Sequence, residues 1–344
     1  VSLCLCEVVG VHYRGKKGRY LKNALAPGTN GSWHEVSSEM SKKVIITGGA
    51  GFIGSNLAQA LAGDREVVVI DDLSSGKKEN LRDIDAKLIE GSITDLGLLR
   101  MAFDGADCIF HLGAIASVQR SVEDPLLVNE VNLNGTLSVL AAARDAGVQR
   151  VVFASTAAVY GTSPELPKRE DMVPDPRSPY AVAKLGGEHY AYVFQELYGL
   201  EAVALRFFNV FGPRQDPSSE YSGVISRFIS AVLKGERPVI YGDGEQTRDF
   251  VFVNDVVRAC MLASKGRATG VFNVARGEST SLNQLLEMLG KITGREVLPR
   301  YAQARAGDIR HSLADISKAK AIGYSPEYAV EEGLKKTVEW FSGT

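Results

Sequence analysis

Thr47-Gly48-Gly49-Ala50-Gly51-Phe52-Ile53-Gly54 decides how the rest of the chain is read. The apolar run Val44-Ile45-Ile46 precedes it, and a helical pattern, Ser55 to Leu61, follows. Glycines placed between a strand and a helix let the backbone turn tightly, approach a pyrophosphate and pack helix against strand. The helix start then offers free N–H groups and the positive end of its dipole to the phosphates. A lone glycine pattern is weak. Here the second strand, Val67-Val68-Val69-Ile70, ends on Asp71, 17 residues past Gly54, where a carboxylate accepts hydrogen bonds from adenosine ribose hydroxyls. Asp72 adjoins it, and two carboxylates repel a 2′-phosphate, so the favoured cofactor is NAD. Lys77 and Lys78 keep NADP from being excluded.

The alternation continues downstream. Lys87-Leu88-Ile89, Cys108-Ile109-Phe110 and Val151-Val152-Phe153 are short apolar runs of the kind buried on both faces of a sheet, and Ala202 to Phe208 predicts a sixth strand. Val128 to Ala146, between the fourth and fifth runs, reads as one helix. This pattern predicts an α/β fold, a Rossmann-type doubly wound parallel sheet with right-handed crossovers. The dinucleotide-binding domain is expected over residues 41–210, with parts of 248–276 returning to it. Residues 212–223 turn rich in Gly, Pro, Ser and Asp, the composition of a functional loop. Helical patterns follow at 224–234, 252–264, 281–293 and 328–341. Residues 211–344 are read as mainly a smaller, substrate-binding α/β cap.

Composition narrows the function classes. With 344 residues, 45% hydrophobic and 23% charged, the chain has apolar material for a large core. Its 39 Lys and Arg nearly balance 41 Asp and Glu, so there is no surplus to draw it to nucleic acid or an anionic membrane. No apolar stretch reaches the roughly 18–20 residues of a membrane span. Four cysteines, at 4, 6, 108 and 260, fit no disulfide framework and point to a reduced, cytoplasmic protein. Cys108 reads as a buried thiol. Cys4 and Cys6 with His12 and His34 make only a partial ligand set, so no metal is expected. Residues 1–40 carry their basic side chains after the apolar start, the wrong order for a secretory signal. They are read as a leader outside the fold, with Met40 as the natural start; an added regulatory arm is the alternative.

Ser178-Pro179-Tyr180-Ala181-Val182-Ala183-Lys184 opens another helix, with Ser178 as cap and Pro179 in the first turn. Tyr180 and Lys184, four apart, project from one face. A free phenol titrates at about 10 and is a poor base near neutrality. A nearby ammonium and a nicotinamide cation favour the phenolate and are expected to lower that value. Thr156, at the end of the fifth strand, has a hydroxyl able to bridge phenol and substrate. Tyr-x-x-x-Lys alone is common on helix surfaces. Joined to Thr156 and the glycine-rich turn, it reads as a catalytic set of Thr156, Tyr180 and Lys184.

At this point the sequence resembles the extended, nucleotide-sugar-modifying branch of the short-chain dehydrogenase/reductase family, over residues 43–341. Sugar 4,6-dehydratases of that branch carry an Asp-Glu pair after the Thr, and the related decarboxylases a Glu. Here Thr156-Ala157-Ala158-Val159-Tyr160-Gly161 has neither, which leaves oxidation followed by re-reduction, an epimerisation. Leu205 to Gly212, Gly242 to Phe250 and Gly307 to Asp315 resemble segments of UDP-sugar 4-epimerases. The last of these, with Arg214-Gln215-Asp216-Pro217, is most similar to UDP-N-acetylglucosamine 4-epimerases.

The resemblance implies an NAD site of Gly48, Gly51, Phe52, Ile53, Gly54, Asp71, Asp72, Leu73, Ser74, Ser75, Gly76, Ser92, Ile93, Leu112, Gly113, Ala114, Ala116, Asn132, Tyr180, Lys184 and Phe208. It implies a substrate site in which Asn209, Arg248 and Arg305 hold the diphosphate, Asp308 the uridine ribose, and the backbone around Val239 to Tyr241 faces the uracil. Ser117, Thr156, Tyr180, Gln215, Val224 and Ser312 complete it. Ser312 stands where a bulky residue restricts the family's pocket; a small one admits a 2-N-acetyl group. Ala116-Ser117 lacks the lysine of glucose/galactose epimerases, which leans the same way. Ser92 departs from the family, whose members carry an Asp there that reaches the adenine. The expected function is redox-neutral C4 epimerisation of a UDP-hexose, UDP-GlcNAc/UDP-GalNAc favoured and UDP-Glc/UDP-Gal also open. The alternatives are a UDP-glucuronate 4-epimerase, another nucleotide-sugar reductase, or a non-catalytic NAD-binding sensor. A homodimer is expected through the helix bearing Tyr180 and the helix before it.

Overall fold

The apolar runs become strands because Val and Ile suit a pleated surface covered by helices on both sides. The structure, a computed structural model, describes residues 43–217, 223–304 and 309–343. Its strands are β1 (Lys43–Thr47), β2 (Glu66–Asp71), β3 (Ala86–Glu90), β4 (Cys108–His111), β5 (Arg150–Thr156), β6 (Glu201–Phe207), β7 (Asn209–Phe211), β8 (Val239–Tyr241), β9 (Thr247–Arg248), β10 (Phe250–Phe252), β11 (Gly270–Val274), β12 (Thr280–Ser281) and β13 (Arg300–Ala302). Its α-helices are α1 (Phe52–Leu61), α2 (Leu96–Ala102), α3 (Val118–Glu123), α4 (Pro125–Asn129), α5 (Gly135–Asp145), α6 (Pro179–Tyr198), α7 (Val224–Lys234), α8 (Val253–Lys265), α9 (Leu282–Thr293), α10 (Ser317–Lys320) and α11 (Val330–Gly343).

Seven parallel strands form the main sheet in the order β3-β2-β1-β4-β5-β6-β11. Thr47 lies opposite both Ile70 and His111, so the carboxyl ends of β1, β2 and β4 finish level. The winding reverses between β1 and β4, and a crevice for a ligand opens at such a switch point. Alternation along each strand feeds two cores. Val44, Ile46, Phe110 and Val152 meet Leu57 and Leu61 of α1 and Val256 and Cys260 of α8. Ile45, Ile109 and Val151 point the other way, onto Leu99, Val139, Leu140 and Phe194. A third cluster gathers Phe228 and Ile229 of α7, Leu285 and Leu289 of α9 and Leu334 of α11 around Phe211, Phe250 and Phe252.

The predicted α/β, doubly wound fold is the one observed, with two differences in detail. The main sheet has a seventh strand, β11, which the sequence reading did not pick out. Its run Gly270-Val271-Phe272-Asn273-Val274 is broken by a polar residue that is fully buried and hydrogen-bonded. The segment Val128 to Ala146 is also not one regular helix. A π-turn, Glu130–Asn134, separates α4 from α5. The wider turn brings Asn132 inside, where its side chain accepts from Ile115 N at 2.8 Å and donates to Ile115 O at 3.1 Å. Such turns often mark functional sites. Among the described residues no helix is long and apolar enough to cross a membrane. Cys108 and Cys260 are buried free thiols, pushed up to about 12 by burial. Residues 1–40, with Cys4 and Cys6, lie outside the described residues.

Candidate active site and cofactor cleft

The glycine-rich turn fits an NAD pyrophosphate because it has no room for side chains. Gly48 sits at φ 70°, and a Cβ there would lie 2.6 Å from Gly113 N, where the loops after β1 and β4 touch. A Cβ on Gly54 would lie 2.2 Å from Gly48 O. No side chain caps α1 at Gly51, which leaves its first-turn N–H groups, Phe52 and Ile53 among them, for a phosphate. Asp71 ties the ribose side to this turn. Its carboxylate accepts from Ala50 N and from Leu73 N, each at 2.9 Å, and keeps spare lone pairs for ribose hydroxyls. Burial pushes its pKa up and those two N–H bonds pull it back. Gly76 is buried against it, and Leu73 turns at φ 58°. Asp72 is exposed and holds Ser74 N and Oγ, and Ser75 lies exposed on the same loop.

Both lysines that left NADP open are engaged: Lys77 pairs with Asp216 at 2.6 Å and Lys78 with Glu90 at 2.8 Å. The Lys77 pair belongs to a strap. Asn56 Nδ2 donates to Pro213 O at 3.1 Å, and Arg214 reaches Asn56 Oδ1 at 3.3 Å and Gln59 Oε1 at 2.7 Å. The segment after β7 is thus laced onto α1. Ser92, the departure from the family, bonds locally with Thr94. Ile93 is buried beside it, packed under Gly113 and Gly135.

Sequence reasoning missed the support beneath the loop that follows β4. His111, fully buried, bridges Thr47 Oγ1 at 2.8 Å and Thr136 Oγ1 at 2.9 Å. Thr47 Oγ1 accepts from Gly113 N, Leu112 N bonds Thr47 O, and Thr136 donates to Asn132 O. This chain, closed by Asn132 on Ile115, fixes the loop that carries Leu112, Gly113, Ala114 and Ala116. Burial, with the Lys184 ammonium nearby, pushes His111 down to about 3, so it is neutral near pH 7. His111 follows an ordinary strand pattern, and nothing in the sequence marks it.

The residues expected to be catalytic meet at the carboxyl end of β5 and the start of α6. Ser178 caps α6 by accepting from Ala181 N at 3.2 Å, and Pro179 occupies its first turn. Tyr180 is hydrogen-bonded to Thr156. Thr156 Oγ1 accepts from Ala158 N at 3.1 Å, which leaves its own proton to donate. Lys184 is buried; its Nζ donates to Ala154 O at 2.9 Å and lies 5.0 Å from the Phe153 ring centre. In the chain without cofactor, burial pushes Tyr180 up, and the Thr156 bond partly pulls it back. Burial also brings Lys184 down from 10.5 to about 8. Desolvation is the main cause at both side chains.

Most of the other residues expected at the cofactor and substrate sites lie beyond β6. Phe208 is buried, its ring tilted against Tyr160. Asn209 N and Nδ2 both donate to Asp249 O. Arg248, half-buried, donates to Thr247 O at 2.9 Å. Ser312 N donates to Thr247 O at 3.1 Å, which pins Ser312 beside the Arg248 strand. Gln215 reaches towards Val210 O, while its Oε1 is buried without a hydrogen-bond partner among the described residues. Gly223 lies against Gln215, directly before Val224 at the start of α7. Tyr241 O accepts from Gln246 Nε2 at 2.7 Å. Ser117 is the N-cap of α3. Arg305 and Asp308 lie outside the described residues.

One further residue organises this side. Asp249 is fully buried, and its carboxylate accepts from Arg276 N, Gly277 N and Ala314 N. It draws three segments together around Arg248 and Ser312, and its burial pushes it up to about 6. Its position next to an arginine gave no sign of this.

Known proteins match this arrangement. Residues 44–275 match the NAD dependent epimerase/dehydratase family. A UDP-N-acetylglucosamine 4-epimerase from Methanobrevibacter ruminantium, solved in complex with UDP-N-acetylmuramic acid, superposes with a TM-score of 0.86 at 44% identity, covering 88% of this chain and 98% of that one. A UDP-glucose 4-epimerase from Mycolicibacterium smegmatis is 42% identical over 87% of this chain and 98% of its own. A UDP-glucuronate 4-epimerase from Thermodesulfobacterium geofontis is 34% identical over 86% of this chain and 95% of its own. The glycine turn, the acid ending β2 and the Thr156–Tyr180 pair thus sit in a chain that matches these enzymes nearly end to end, and it belongs to the NAD dependent epimerase/dehydratase family.

Proposed function

We propose that this NAD-dependent UDP-sugar 4-epimerase has UDP-GlcNAc and UDP-GalNAc as its favoured substrate pair, with UDP-Glc and UDP-Gal as a secondary one. The observation that carries the choice is Ser312, a small side chain pinned by its backbone next to Arg248. A bulky residue there would narrow the space beside the sugar; serine leaves room for a 2-N-acetyl group.

Tyr180, as the phenolate, takes the proton of the sugar 4-OH, directly or through Thr156, whose hydroxyl is held by Ala158 N and keeps its own proton for the phenolate oxygen. The glycine-rich turn and Asp71 would hold NAD, which would supply a reversible hydride acceptor for C4 and a positive charge that favours the Tyr180 phenolate. Lys184 would hydrogen-bond the cofactor ribose. Arg248 and Arg305 keep the diphosphate anchored, guanidinium forks being suited to phosphate oxygens, while the 4-keto sugar turns over. Tyr180 then gives the proton back, and no net NAD is consumed. Residues 41–210, with α8 and β11, form the cofactor half of this arrangement and the remainder of 211–344 the substrate half.

A homodimer and a cytoplasmic location complete the reading. Val118 and Val122 of α3, Leu126 of α4 and Val182 of α6 are exposed apolar side chains on helices that pack together, and a second copy would cover them. The free buried thiols suit a reducing compartment.

The test is incubation with UDP-GlcNAc, UDP-Glc and UDP-GlcA separately, without added NAD, with products followed by anion exchange or proton NMR. UDP-GalNAc forming fastest is the expected result. UDP-Glc or UDP-GlcA leading would refute the Ser312 argument while leaving the epimerase chemistry in place. Stoichiometric use of added NADH would point to a reductase.

A further inference from the structure

α6 carries a third inward-facing polar residue besides Tyr180 and Lys184. Glu188 is one turn beyond Lys184 and 6% exposed. Arg206 of β6 meets it with two hydrogen bonds, Nε to Oε1 at 2.9 Å and Nη2 to Oε2 at 2.7 Å. Both side chains of this ion pair are 4% exposed. Ser155 Oγ donates to the same carboxylate. Ser155 directly precedes Thr156, and Arg206 lies three residues before Asn209. The guanidinium also stacks 4.7 Å from the Tyr160 ring centre, and Tyr160 donates to Asn273 Oδ1 of β11 at 2.6 Å. One carboxylate therefore ties the catalytic helix to the strand that ends in Thr156 and to the strand that leads to Asn209.

Stability does not account for such a pair. Two buried charges lose their hydration, and apolar replacements of similar volume are often neutral or stabilising. Arg206 Nη1 is moreover buried without a hydrogen-bond partner among the described residues, a further cost. What the pair supplies is geometry. A planar guanidinium fork on a carboxylate fixes distance and angle together, as an apolar contact does not. Two residues upstream of Ser155, the Lys184 ammonium lies over the Phe153 ring, so a slide of α6 along β5 would displace Tyr180 from Thr156 and Lys184 from Ala154 together.

We propose that Glu188, held by Arg206 and Ser155, is a positioning residue that sets the register of Tyr180 and Lys184 against Thr156. The proposal rests on those three residues being the catalytic set, and the experiment separates the two ideas. The variants are Ser155→Ala, which removes one hydrogen bond and no charge, and Glu188→Met combined with Arg206→Met, which replaces the pair by apolar volume. Epimerisation is measured per NAD-loaded, folded enzyme, with kcat and KM resolved and thermal unfolding recorded alongside, and Tyr180→Phe is run as control.

The expected result for the double variant is an unchanged unfolding temperature, KM within about twofold and kcat down about 100-fold, the scale of a 1 Å misplacement. Ser155→Ala should lose kcat by about tenfold at unchanged KM. Both variants retaining wild-type kcat would overturn the proposal, as would Ser155→Ala retaining it if the double variant fails to fold. A fall in Ser155→Ala confined to KM or to unfolding temperature would also overturn it, by showing a structural role only. An active Tyr180→Phe would instead overturn the catalytic assignment itself.

Discussion

Replacing Lys184 by Met separates what the buried ammonium costs the fold from what it does for the reaction. Lys184 is 3% exposed, with one hydrogen bond to Ala154 O and the face of Phe153 nearby. Burial lowers its pKa from 10.5 to about 8. That drop corresponds to roughly 3 kcal/mol disfavouring the charged group in the folded state. Below pH 8 both folded and unfolded chains carry the ammonium, and the full cost stands. Between about pH 8 and pH 10.5 the unfolded chain binds more protons than the folded one, so this group's contribution to stability rises with pH. Methionine has similar length and no charge, and losing the hydrogen bond to Ala154 returns about 1 kcal/mol of the gain. The variant should therefore be more stable than wild type near neutrality by roughly 2 kcal/mol, a few degrees of unfolding temperature. Its kcat should fall at least about 100-fold. Paired thermal unfolding from about pH 6 to about pH 10 is the assay. The change of the gap with pH is the observable, because loss of a cofactor contact shifts both ends alike. The gap should close as the pH climbs through 8. A gap that stays constant across that range would refute the reasoning about the buried ammonium.

Tyr180→Phe keeps the ring and removes the acid–base oxygen, so kcat should drop about 10²–10⁴-fold while calorimetry gives UDP affinity within about twofold; substantial residual turnover would move the proton transfer elsewhere. Gly54→Ala places a Cβ 2.2 Å from Gly48 O, which must force the turn apart, and the purified protein should lose its bound NAD, read from the absorbance of the released nucleotide. Ser312→Tyr should raise KM for UDP-GlcNAc about tenfold or more relative to UDP-Glc, the size of a steric clash of about 1.4 kcal/mol or above. An unchanged ratio would remove Ser312 from the specificity argument.

Much of the cofactor site could be read along the chain because its chemistry is local. Glycines between a strand and a helix, an acid closing the next strand and a hydroxyl capping α6 each declare themselves within a few residues. The same holds for Tyr180 and Lys184, which one helical turn places on one face. Local reading failed where a residue's role depends on a partner far along the chain. Asn273 interrupts an apolar run and hid β11, yet it is buried because Tyr160, more than 100 residues earlier, bonds to it. Asn132 bends a helix into a π-turn to reach Ile115. Asp249 looks like a neighbour of Arg248 and acts on Arg276, Gly277 and Ala314.

The sequence by itself was enough for the doubly wound class, its first six strands, the glycine-rich turn for NAD and the proposal of Thr156, Tyr180 and Lys184 as the catalytic set. Periodicity, glycine geometry and side-chain chemistry are properties of short segments, and they survive without knowledge of the packing. The tertiary structure alone decided how deeply that set is desolvated. Burial raises Tyr180 and lowers Lys184 in the chain without cofactor. It alone brought Lys77 to Asp216, His111 between Thr47 and Thr136, and Glu188 to Arg206. Desolvation and ion pairing depend on which distant segments exclude water around a group, and only the folded chain specifies that.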